Sequence, residues 1–324
     1  MEKKFDVIAL GELLIDFTES GKSGNGMRLF EQNPGGAPAN LLTAVSHMGY
    51  RTAMIGKIGT DMHGAFLKST LEQEGICTDY IVEDETVFTT LAFVEIDEKG
   101  ERHFSFARKP GADTCLSAAE LDEQILKTCR IFHFGSLSMT DEPAKSATTE
   151  ALRMAKEAGA IISFDPNYRD ALWGKKSDAV EAILSVLPYA DMLKISDEES
   201  ILLTGEEDYT KASGKLLQKG PKLIAITLGS QGVYLVNQER AEIIPGISVE
   251  AIDTTGAGDS FWGGFLSKYL EYGTTLQNMS WEEWKACAQY GNAVAGLCVQ
   301  KRGGIPAIPD RDAVNHVVQK YKKD

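Results

Sequence analysis

The sequence predicts an α/β protein with a mostly parallel central sheet, helices on both faces and a small β-sheet lid. Short apolar runs rich in β-branched residues alternate with longer helical patterns along most of the chain, which is typical of strand–helix–strand units. One segment, residues 89–113, breaks this alternation. It contains two runs of alternating apolar and polar residues around the turn DEKG, and this pattern predicts a β-hairpin that projects from the sheet.

The predicted elements follow in order along the chain. Short β-rich runs indicate buried strands at 5–10, 52–59, 130–135, 160–167, 190–196, 222–229 and 232–237. Apolar residues at helical spacing, in places closed by a glycine, indicate helices at 38–49, 64–75, 142–158, 177–187, 257–272, 281–299 and 310–322. The last two strands are separated by so few residues that we expect them to be neighbours.

The lid is expected from strands inserted at about 12–33 and 88–110. The run MRLFEQ at 27–32 is strand-like and adds to the hairpin. Because no linker, low-complexity tract or internal repeat marks a second unit, residues 1–324 are predicted to form a single domain. Exposed lid strands offer unpaired edges, so a homodimer through the lid is a further expectation.

Charge and composition argue against several classes of protein. The 324 residues include 33 Lys and Arg against 47 Asp and Glu, a net charge of −14, which disfavours nucleic acid as the main partner. No apolar run is long enough to span a membrane, and the apolar start is interrupted by Gly11, Glu12 and Asp16. We therefore expect a cytoplasmic protein without a membrane partner, whose 5 cysteines are reduced thiols.

Several well-known nucleotide and catalytic motifs are absent from the sequence. GKSG at 21–24 is not a P-loop, because Asp16 stands where its first glycine is needed. GAGDSF at 256–261 has Phe261 at the third glycine of the dinucleotide fingerprint. The zinc-peptidase, serine-hydrolase and protein-kinase motifs are also missing. Peptidase, zinc-enzyme and nicotinamide-dehydrogenase interpretations therefore lose support.

A first glycine-bearing stretch, NPGGAPAN at 33–40, opens a predicted helix. Gly35 and Gly36 would let backbone amides approach a ligand closely, and Asn40 lies in the first turn of the helix. A simple turn before a helix would use similar residues. The stretch alone therefore leaves both interpretations open.

A second glycine-bearing stretch, DTTGAGDSFWGGF at 253–265, opens another predicted helix. Gly256 and Gly258 would allow successive backbone N–H groups to converge at the helix N-terminus, an arrangement that binds anions. Asp259 would either stabilise the helix dipole or act as a catalytic base. Gly263 and Gly264, inside the same helix, indicate that another element packs closely against it.

Together with other motifs, these two signatures give a resemblance along nearly the whole chain. The matching stretches are GELLIDF (11–17), GGAPAN (35–40), IGKIGTDMHG (55–64), FARKPGAD (106–113), FDPNYR (164–169), LKISDEE (193–199), TLGSQG (227–232) and DTTGAGDSFWGG (253–264). The chain resembles the ribokinase-like (PfkB) carbohydrate kinases and is most similar to the fructokinases among them.

The resemblance implies an enzyme that transfers a phosphoryl group from ATP to an alcohol group of a sugar. The substrate it implies most directly is D-fructose, with ADP and D-fructose 6-phosphate as products. A kinase for 2-keto-3-deoxygluconate or for a riboside belongs to the same family and is the alternative. A catalytically silent sugar or nucleotide sensor on the same scaffold is a hypothesis of another class.

The resemblance also implies roles for particular residues. Asp259 would take the proton from the sugar hydroxyl, and the backbone amides of Gly256, Ala257, Gly258 and Asp259 would form the anion hole for the transferring phosphoryl group. Sugar-binding roles are implied for Asp16, Gly35, Gly36, Asn40, Phe104, Arg108, Asn167 and Arg169.

Nucleotide-binding roles are implied for Lys194, Glu199, Thr227, Gly229, Gly232 and Asn292. Glu199 would hold Mg²⁺ through water, which suits an ion that is bound largely by substrate phosphates. Ser196 stands where many relatives have asparagine, so no direct ligand role is implied for it. Asp253 and Thr255 match positions that, with the loop KRGGIPAIP at 301–309, bind a monovalent cation such as K⁺ in some relatives.

Overall fold

The structure is a computed structural model, and it describes the backbone of residues 3–96 and 102–321 and the side chains of residues 3–94 and 105–320. Its strands are β1 (Phe5–Leu10), β2 (Leu14–Lys22), β3 (Arg28–Gly35), β4 (Thr52–Gly59), β5 (Ile76–Cys77), β6 (Ile81–Asp84), β7 (Thr90–Ile96), β8 (Arg102–Ala107), β9 (Cys129–Gly135), β10 (Ile161–Asp165), β11 (Met192–Ser196), β12 (Leu223–Thr227), β13 (Gly232–Asn237) and β14 (Ala241–Pro245). Its α-helices are α1 (Ala37–His47), α2 (Met62–Gln73), α3 (Glu123–Leu126), α4 (Ala144–Glu157), α5 (Lys176–Val186), α6 (Asp197–Thr204), α7 (Tyr209–Leu217), α8 (Ala257–Tyr272), α9 (Trp281–Cys298) and α10 (Arg311–Tyr321).

The larger of the two sheets is parallel through its centre. Its strand order is β14-β13-β12-β11-β10-β9-β1-β4-β5, and β6 also pairs with β4. The pairs β12–β13 and β13–β14 are antiparallel, and the other pairs are parallel. The predicted mostly parallel sheet is confirmed, as is the pairing of the strands at 222–229 and 232–237. Parallel strands present their carboxyl ends along one edge, where ligands of such sheets bind.

Helices cover both faces of this sheet, as predicted. Along β1 the side chains alternate: Ile8 and Leu10 enter one apolar core, and Val7 and Ala9 enter the other. Helices α4, α5 and α7 contribute to the first core, and α1, α8 and α9 contribute to the second. No helix in the described part of the chain is long and apolar enough to cross a lipid bilayer.

The two glycines inside α8 lie where neighbouring helices come close. A Cβ atom on Gly263 would lie 2.6 Å from Cβ of Ala44 in α1, and one on Gly264 would lie 2.6 Å from Cγ2 of Val294 in α9. Each glycine costs about 1 kcal/mol of helix stability relative to alanine. Close packing of α8 against both helices accounts for this cost and agrees with the sequence prediction.

The second sheet has the order β3-β2-β7-β8 and forms the lid. Strand β2 pairs in parallel with β7, and the other two pairs are antiparallel. Asp16 of β2 faces the central sheet, whereas Phe17 faces away and stacks on Phe93 with ring centroids 5.3 Å apart. The hairpin of β7 and β8 agrees with the prediction for 89–113, although its DEKG turn lies outside the described residues.

Some elements around the larger sheet were not predicted from the sequence. Among them are helices α6 and α7 and strand β14. A capping box starts α6: the Ser196 hydroxyl accepts a hydrogen bond from the Glu199 N–H, and the Glu199 carboxylate accepts one from the Ser196 N–H. The SDEE stretch was therefore a helix-start signal that the sequence analysis did not use.

Candidate active site

A cleft of about 800 Å³ lies between the lid and the carboxyl edge of the larger sheet. The lid contributes alternate residues of its strands, among them Leu14, Asp16 and Thr18. The opposite wall is formed by the loop after β10, the end of β11 and the first turn of α8. The cleft therefore lies where open parallel sheets bind ligands.

Asp259 lies buried in this cleft, held by two amide side chains. Asn40 Nδ2 donates a hydrogen bond to Asp259 Oδ2 at 2.9 Å, and Asn167 Nδ2 donates one to Asp259 Oδ1 at 3.2 Å. Both of these bonds come from other elements, and the N-cap of α8 is Gly256. Burial raises the pKa of Asp259, and the nearby Lys194 ammonium opposes that rise. The carboxylate is therefore oriented by α1 and by the loop after β10 and does not serve as a helix cap.

The first turn of α8 lies beside this carboxylate. Gly256 adopts a left-handed backbone conformation with φ of 73°, which favours glycine, and α8 begins at the next residue. The N–H groups of Gly258 and Asp259 belong to the first helical turn, whose donors have no partner inside a helix. Ala257 differs, because its N–H donates to the Thr254 carbonyl at 3.2 Å. This geometry supports an anion site but does not support the donor role predicted for Ala257.

A buried ion pair lies next to this turn. Lys194 Nζ is 2.8 Å from Asp165 Oδ2, and a Cβ atom on Gly258 would lie only 2.7 Å from the same Nζ. Burial opposes the charge of Lys194, but the surrounding carboxylates, Asp165 first, outweigh this effect and raise its pKa. A protonated ammonium therefore lies against the glycine turn.

Glu199 is held by two backbone amides. Its Oε1 accepts a hydrogen bond from Tyr168 N–H and its Oε2 accepts one from Ser196 N–H, both at 2.7 Å. Burial raises the pKa of Glu199, and the charge of Asp165 adds to the rise. Each carboxylate oxygen has a second lone pair, so Glu199 can still accept a hydrogen bond from a water molecule.

Two carboxyl groups mark the lid side of the cleft. Burial raises the pKa of Asp16 to about 6, and the Arg169 guanidinium opposes this rise. A Cβ atom on Gly35 would collide with Asp16 Oδ2, so a larger residue there would have to displace that carboxylate. Glu12 is buried, its Oε1 accepts a hydrogen bond from Ala37 N–H at 2.8 Å, and burial raises its pKa to about 7.

Most of the predicted site residues line this cleft. They are Asp16, Gly35, Gly36, Asn40, Asn167, Arg169, Lys194, Glu199, Asp253, Thr255, Gly256, Ala257, Gly258 and Asp259. The side chain of Phe104 lies outside the described residues, although its neighbour Phe106 lines the cleft. The structure therefore brings together residues from opposite ends of the sequence.

Arg108 is placed differently from the prediction. It is buried outside the cleft lining, with Nε donating to Asp113 Oδ2 at 2.8 Å and Nη2 donating to the Leu137 carbonyl at 2.8 Å. Its Nη1 donates to Thr140 Oγ1 at 2.9 Å. The guanidinium therefore joins the end of the lid hairpin to the loop after β9, and the predicted contact with sugar or phosphate is not supported.

Four of the predicted nucleotide residues also lie outside the cleft lining: Thr227, Gly229, Gly232 and Asn292. Thr227 ends β12 and pairs with Ser196, a residue of the cleft at the end of β11, so Thr227 adjoins the cleft. Asn292 Nδ2 donates to the carbonyls of Ile244 and Pro245 at 3.2 and 2.9 Å. These bonds fasten α9 to β14, and they give no support to an adenine contact by that amide group.

Asp253 organises the loop before α8. Its Oδ1 accepts hydrogen bonds from the N–H and hydroxyl of Thr255, and its Oδ2 accepts one from Gly303 N–H at 3.0 Å. The predicted partner loop at 301–309 therefore does contact Asp253, which in turn is bonded to Thr255. These contacts are compatible with a cation site and do not by themselves require one.

Sequence reasoning missed several residues of the cleft. Glu12, Lys176 and Arg302 line it, and Asp165 pairs with Lys194 at its base. Glu12 and Asp165 lie at or just after the carboxyl ends of β1 and β10. A carboxylate at the end of a buried parallel strand was therefore the signal that could have found both.

Comparison with known proteins agrees with this site. The family described as "pfkB family carbohydrate kinase" matches residues 4–311, so the chain belongs to this family of carbohydrate kinases. Over 318 residues the chain is 40% identical to "Probable fructokinase-6, chloroplastic" of Arabidopsis thaliana. The aligned region covers 97% of this chain and 82% of that protein.

Solved structures give the same result. The crystal structure of a fructokinase with bound ATP from Xylella fastidiosa superimposes with a TM-score of 0.88 and 32% identity, covering 98% of this chain and 99% of that one. A fructokinase from Vibrio cholerae, in a form with fructose, ADP and calcium ion bound, has a TM-score of 0.86 and 29% identity, covering 97% and 99%. The predicted fold class, family and sugar-kinase activity are confirmed.

Proposed function

We propose that this chain is an ATP-dependent fructokinase that converts ATP and D-fructose to ADP and D-fructose 6-phosphate. The observation that carries the proposal is the position of Asp259, whose two oxygens are held by Asn40 and Asn167 beside the glycine turn that opens α8. The similarity to fructokinases along 97% of this chain supports fructose as the sugar. We take residues 1–324 as one domain.

In the proposed reaction, Asp259 accepts the proton of the attacking sugar hydroxyl as that oxygen bonds to the terminal phosphorus of ATP. The two amides keep the carboxylate aimed while it does so, which is the positioning that general-base catalysis needs. The N–H groups of Gly256, Gly258 and Asp259 donate to the transferring phosphoryl oxygens. The ammonium of Lys194, lying against Gly258, adds positive charge at the same place.

The metal requirement fits the residues present. Magnesium bound with ATP neutralises phosphate charge during transfer. Glu199 would hold a water molecule of the hydrated ion, because each of its oxygens keeps one lone pair after accepting a backbone N–H. Asp253 and Thr255 stay the candidate site for a monovalent cation, with K⁺ as the ion to test first.

The lid side of the cleft favours a neutral sugar. Asp16 lines this side, and its carboxylate, once ionised, would repel a carboxylated sugar. A 2-keto-3-deoxygluconate kinase needs cationic donors for the substrate carboxylate, and Arg108, the residue that kept this alternative open, donates to Asp113, Leu137 and Thr140 instead. The acid-sugar alternative therefore loses its main support.

Two kinetic measurements test the proposal. The purified protein with magnesium-ATP should phosphorylate D-fructose faster than ribosides, 2-keto-3-deoxygluconate or other hexoses. Asp259→Asn should lower kcat by about 10²- to 10⁴-fold and keep fructose binding, because only the base is lost. A matched control is Asp197→Asn, which changes an exposed aspartate in the first turn of α6. Turnover of an acid sugar alone, or near-normal kcat in Asp259→Asn, would contradict the proposal.

We also propose that two copies associate through the lid. Phe30 and Phe93 lie on the lid face that points away from the cleft, and they are 37% and 38% exposed. Burying such rings against a second copy would remove apolar surface from water. Light scattering should give a dimer mass for the natural chain and a monomer mass for Phe93→Glu; a monomeric natural chain would refute this.

The cytoplasmic location stays a prediction, because one relative is named chloroplastic.

A further inference from the structure

Asp165 is a buried carboxylate to which the mechanism above gives no role. It ends β10 and is 3% exposed. One of its oxygens, Oδ2, lies 2.8 Å from Lys194 Nζ, and the other, Oδ1, accepts a hydrogen bond from Asn167 N–H at 3.2 Å. Lys194 belongs to the phosphoryl side of the reaction site and Asn167 to the side of the catalytic base. The Asp165 side chain therefore contacts a residue on each side.

The first partner leads to the phosphoryl side. Lys194 Nζ lies where a side chain on Gly258 would otherwise be, at the turn that opens α8. A lysine side chain has many rotamers and loses conformational entropy when it is held in one of them. The ion pair with Asp165 fixes one rotamer and thereby keeps the ammonium against the anion site.

The second partner leads to the base. Asn167 has a left-handed backbone with φ of 46°, which is uncommon outside glycine and costs free energy unless neighbouring groups hold it. The hydrogen bond from Asn167 N–H to Asp165 is such a restraint. In this conformation Asn167 Nδ2 reaches Asp259 Oδ1.

We propose that Asp165 is a positioning residue of the phosphoryl-transfer reaction, which holds Lys194 at the anion site and Asn167 at the catalytic carboxylate at the same time. The inference rests on the proposed role of Asp259 as the base. It adds a residue that touches neither sugar nor nucleotide, and whose removal should disturb both the phosphoryl side and the base side of the site.

The charge of Asp165 gives this role a signature in the pH dependence of activity. The groups that act on Asp259 are Lys194 and Arg169, which lower its pKa, the Asn40 amide, which also lowers it, and Asp165, which raises it. Neutralising Asp165 removes this negative charge and also releases the Lys194 ammonium that it holds, so the pKa of Asp259 changes. The acid limb of kcat/KM should therefore shift along the pH axis.

The variant Asp165→Asn keeps the shape of the side chain and an oxygen for Asn167 N–H, but loses the charge. We expect kcat to fall by roughly tenfold or more, the KM for fructose to change little, and the acid limb to shift along the pH axis. A loss of stability alone would change none of these three quantities once the folded fraction is corrected for.

The larger sheet offers a matched control at its opposite end. Asp191 is also buried, and it contacts Lys156 and Lys222, each at 2.9 Å, and accepts a hydrogen bond from Ile162 N–H at 3.0 Å. Asp191→Asn removes a comparable buried charge far from the cleft. It should lower the melting temperature and leave kcat and the pH profile unchanged.

The outcomes separate this inference from the proposed function. If Asp259→Asn is inactive while Asp165→Asn has the kcat and pH profile of Asp191→Asn, the positioning role is wrong and the base role stands. If Asp259→Asn keeps its turnover, the base role itself fails. Should Asp165→Asn not fold, Asn167→Gly tests the base branch, because glycine accepts a φ of 46° without strain. An unchanged kcat in that variant would overturn the inference.

Discussion

Replacing Glu12 by glutamine should remove a pH-dependent loss of stability. Glu12 is 2% exposed, and its Oε2 has no hydrogen-bond partner among the described residues. Burial raises the pKa of its carboxyl group from 4.5 to about 7; Asp113 adds to the rise, and the Ala37 N–H and the Arg108 guanidinium oppose it. The folded chain therefore disfavours the ionised form of this residue.

The size of the effect follows from the pKa shift. One pKa unit corresponds to about 1.4 kcal/mol, so ionising Glu12 costs about 3 kcal/mol more in the folded than in the unfolded chain. Because the pKa is raised on folding, this contribution to stability is fully present below the unfolded pKa and is lost as the pH rises through the folded value. Glutamine keeps an oxygen for Ala37 N–H and cannot ionise.

Urea unfolding at about pH 5 and about pH 8 measures this contribution. Between these two values, the free energy of unfolding of Glu12→Gln should rise relative to the natural chain by about 2 to 3 kcal/mol. Other buried acids, such as Asp16, titrate in both proteins and cancel in the difference. The matched control is Glu198→Gln, which changes an exposed glutamate of the cleft. The same pH dependence in Glu12→Gln as in the natural chain would refute the reasoning.

Three further predictions concern packing, capping and metal. Gly263→Ala places a Cβ 2.6 Å from Cβ of Ala44 and should destabilise the fold by about 1 to 3 kcal/mol. Gly214→Ala in α7, where the structure leaves open space, should instead stabilise the fold by up to about 1 kcal/mol. Melting temperatures that shift in the same direction for both variants would contradict this. Asp61→Ala removes the N-cap of α2 and a bond to Thr89 N–H below the lid, and chemical denaturation should show a loss of about 1 to 2 kcal/mol. Chelation of magnesium should stop turnover at saturating ATP while calorimetry still detects fructose binding, and turnover without a divalent ion would be the contrary result.

The fold could be predicted from the sequence where its signals are local. The strand at 5–10 and the helix at 257–272 have the bounds that the structure gives them, because an apolar β-rich run defines the first and glycines bracket the second. The site was predicted where glycines mark it, since Gly36 and Gly256 adopt backbone conformations that other residues rarely adopt. Local chemistry therefore carried most of the correct predictions.

The remaining features depend on partners far away in the sequence. Arg108 was expected to face the sugar, but its Nη2 donates to the Leu137 carbonyl, and no pattern around Arg108 indicates that partner. Asp165 was overlooked because its role depends on Lys194, which lies on the next strand of the sheet. Such pairings are decided by the order of strands and by packing, which a single sequence does not reveal.

Side chains alternate along β2, so the length of the short segment between the two sheets helps to decide which of them face the cleft. Only residues 11–13 separate β1 from β2, and Asp16 and Phe17 face opposite sides of the lid. If the segment transmits a change of one residue to β2 and does not absorb it as a longer or shorter loop, the two faces exchange and a phenyl ring turns toward the cleft. A change of two residues would return each side chain to its original face of the lid. Among natural relatives, length differences in this segment should therefore come in even numbers.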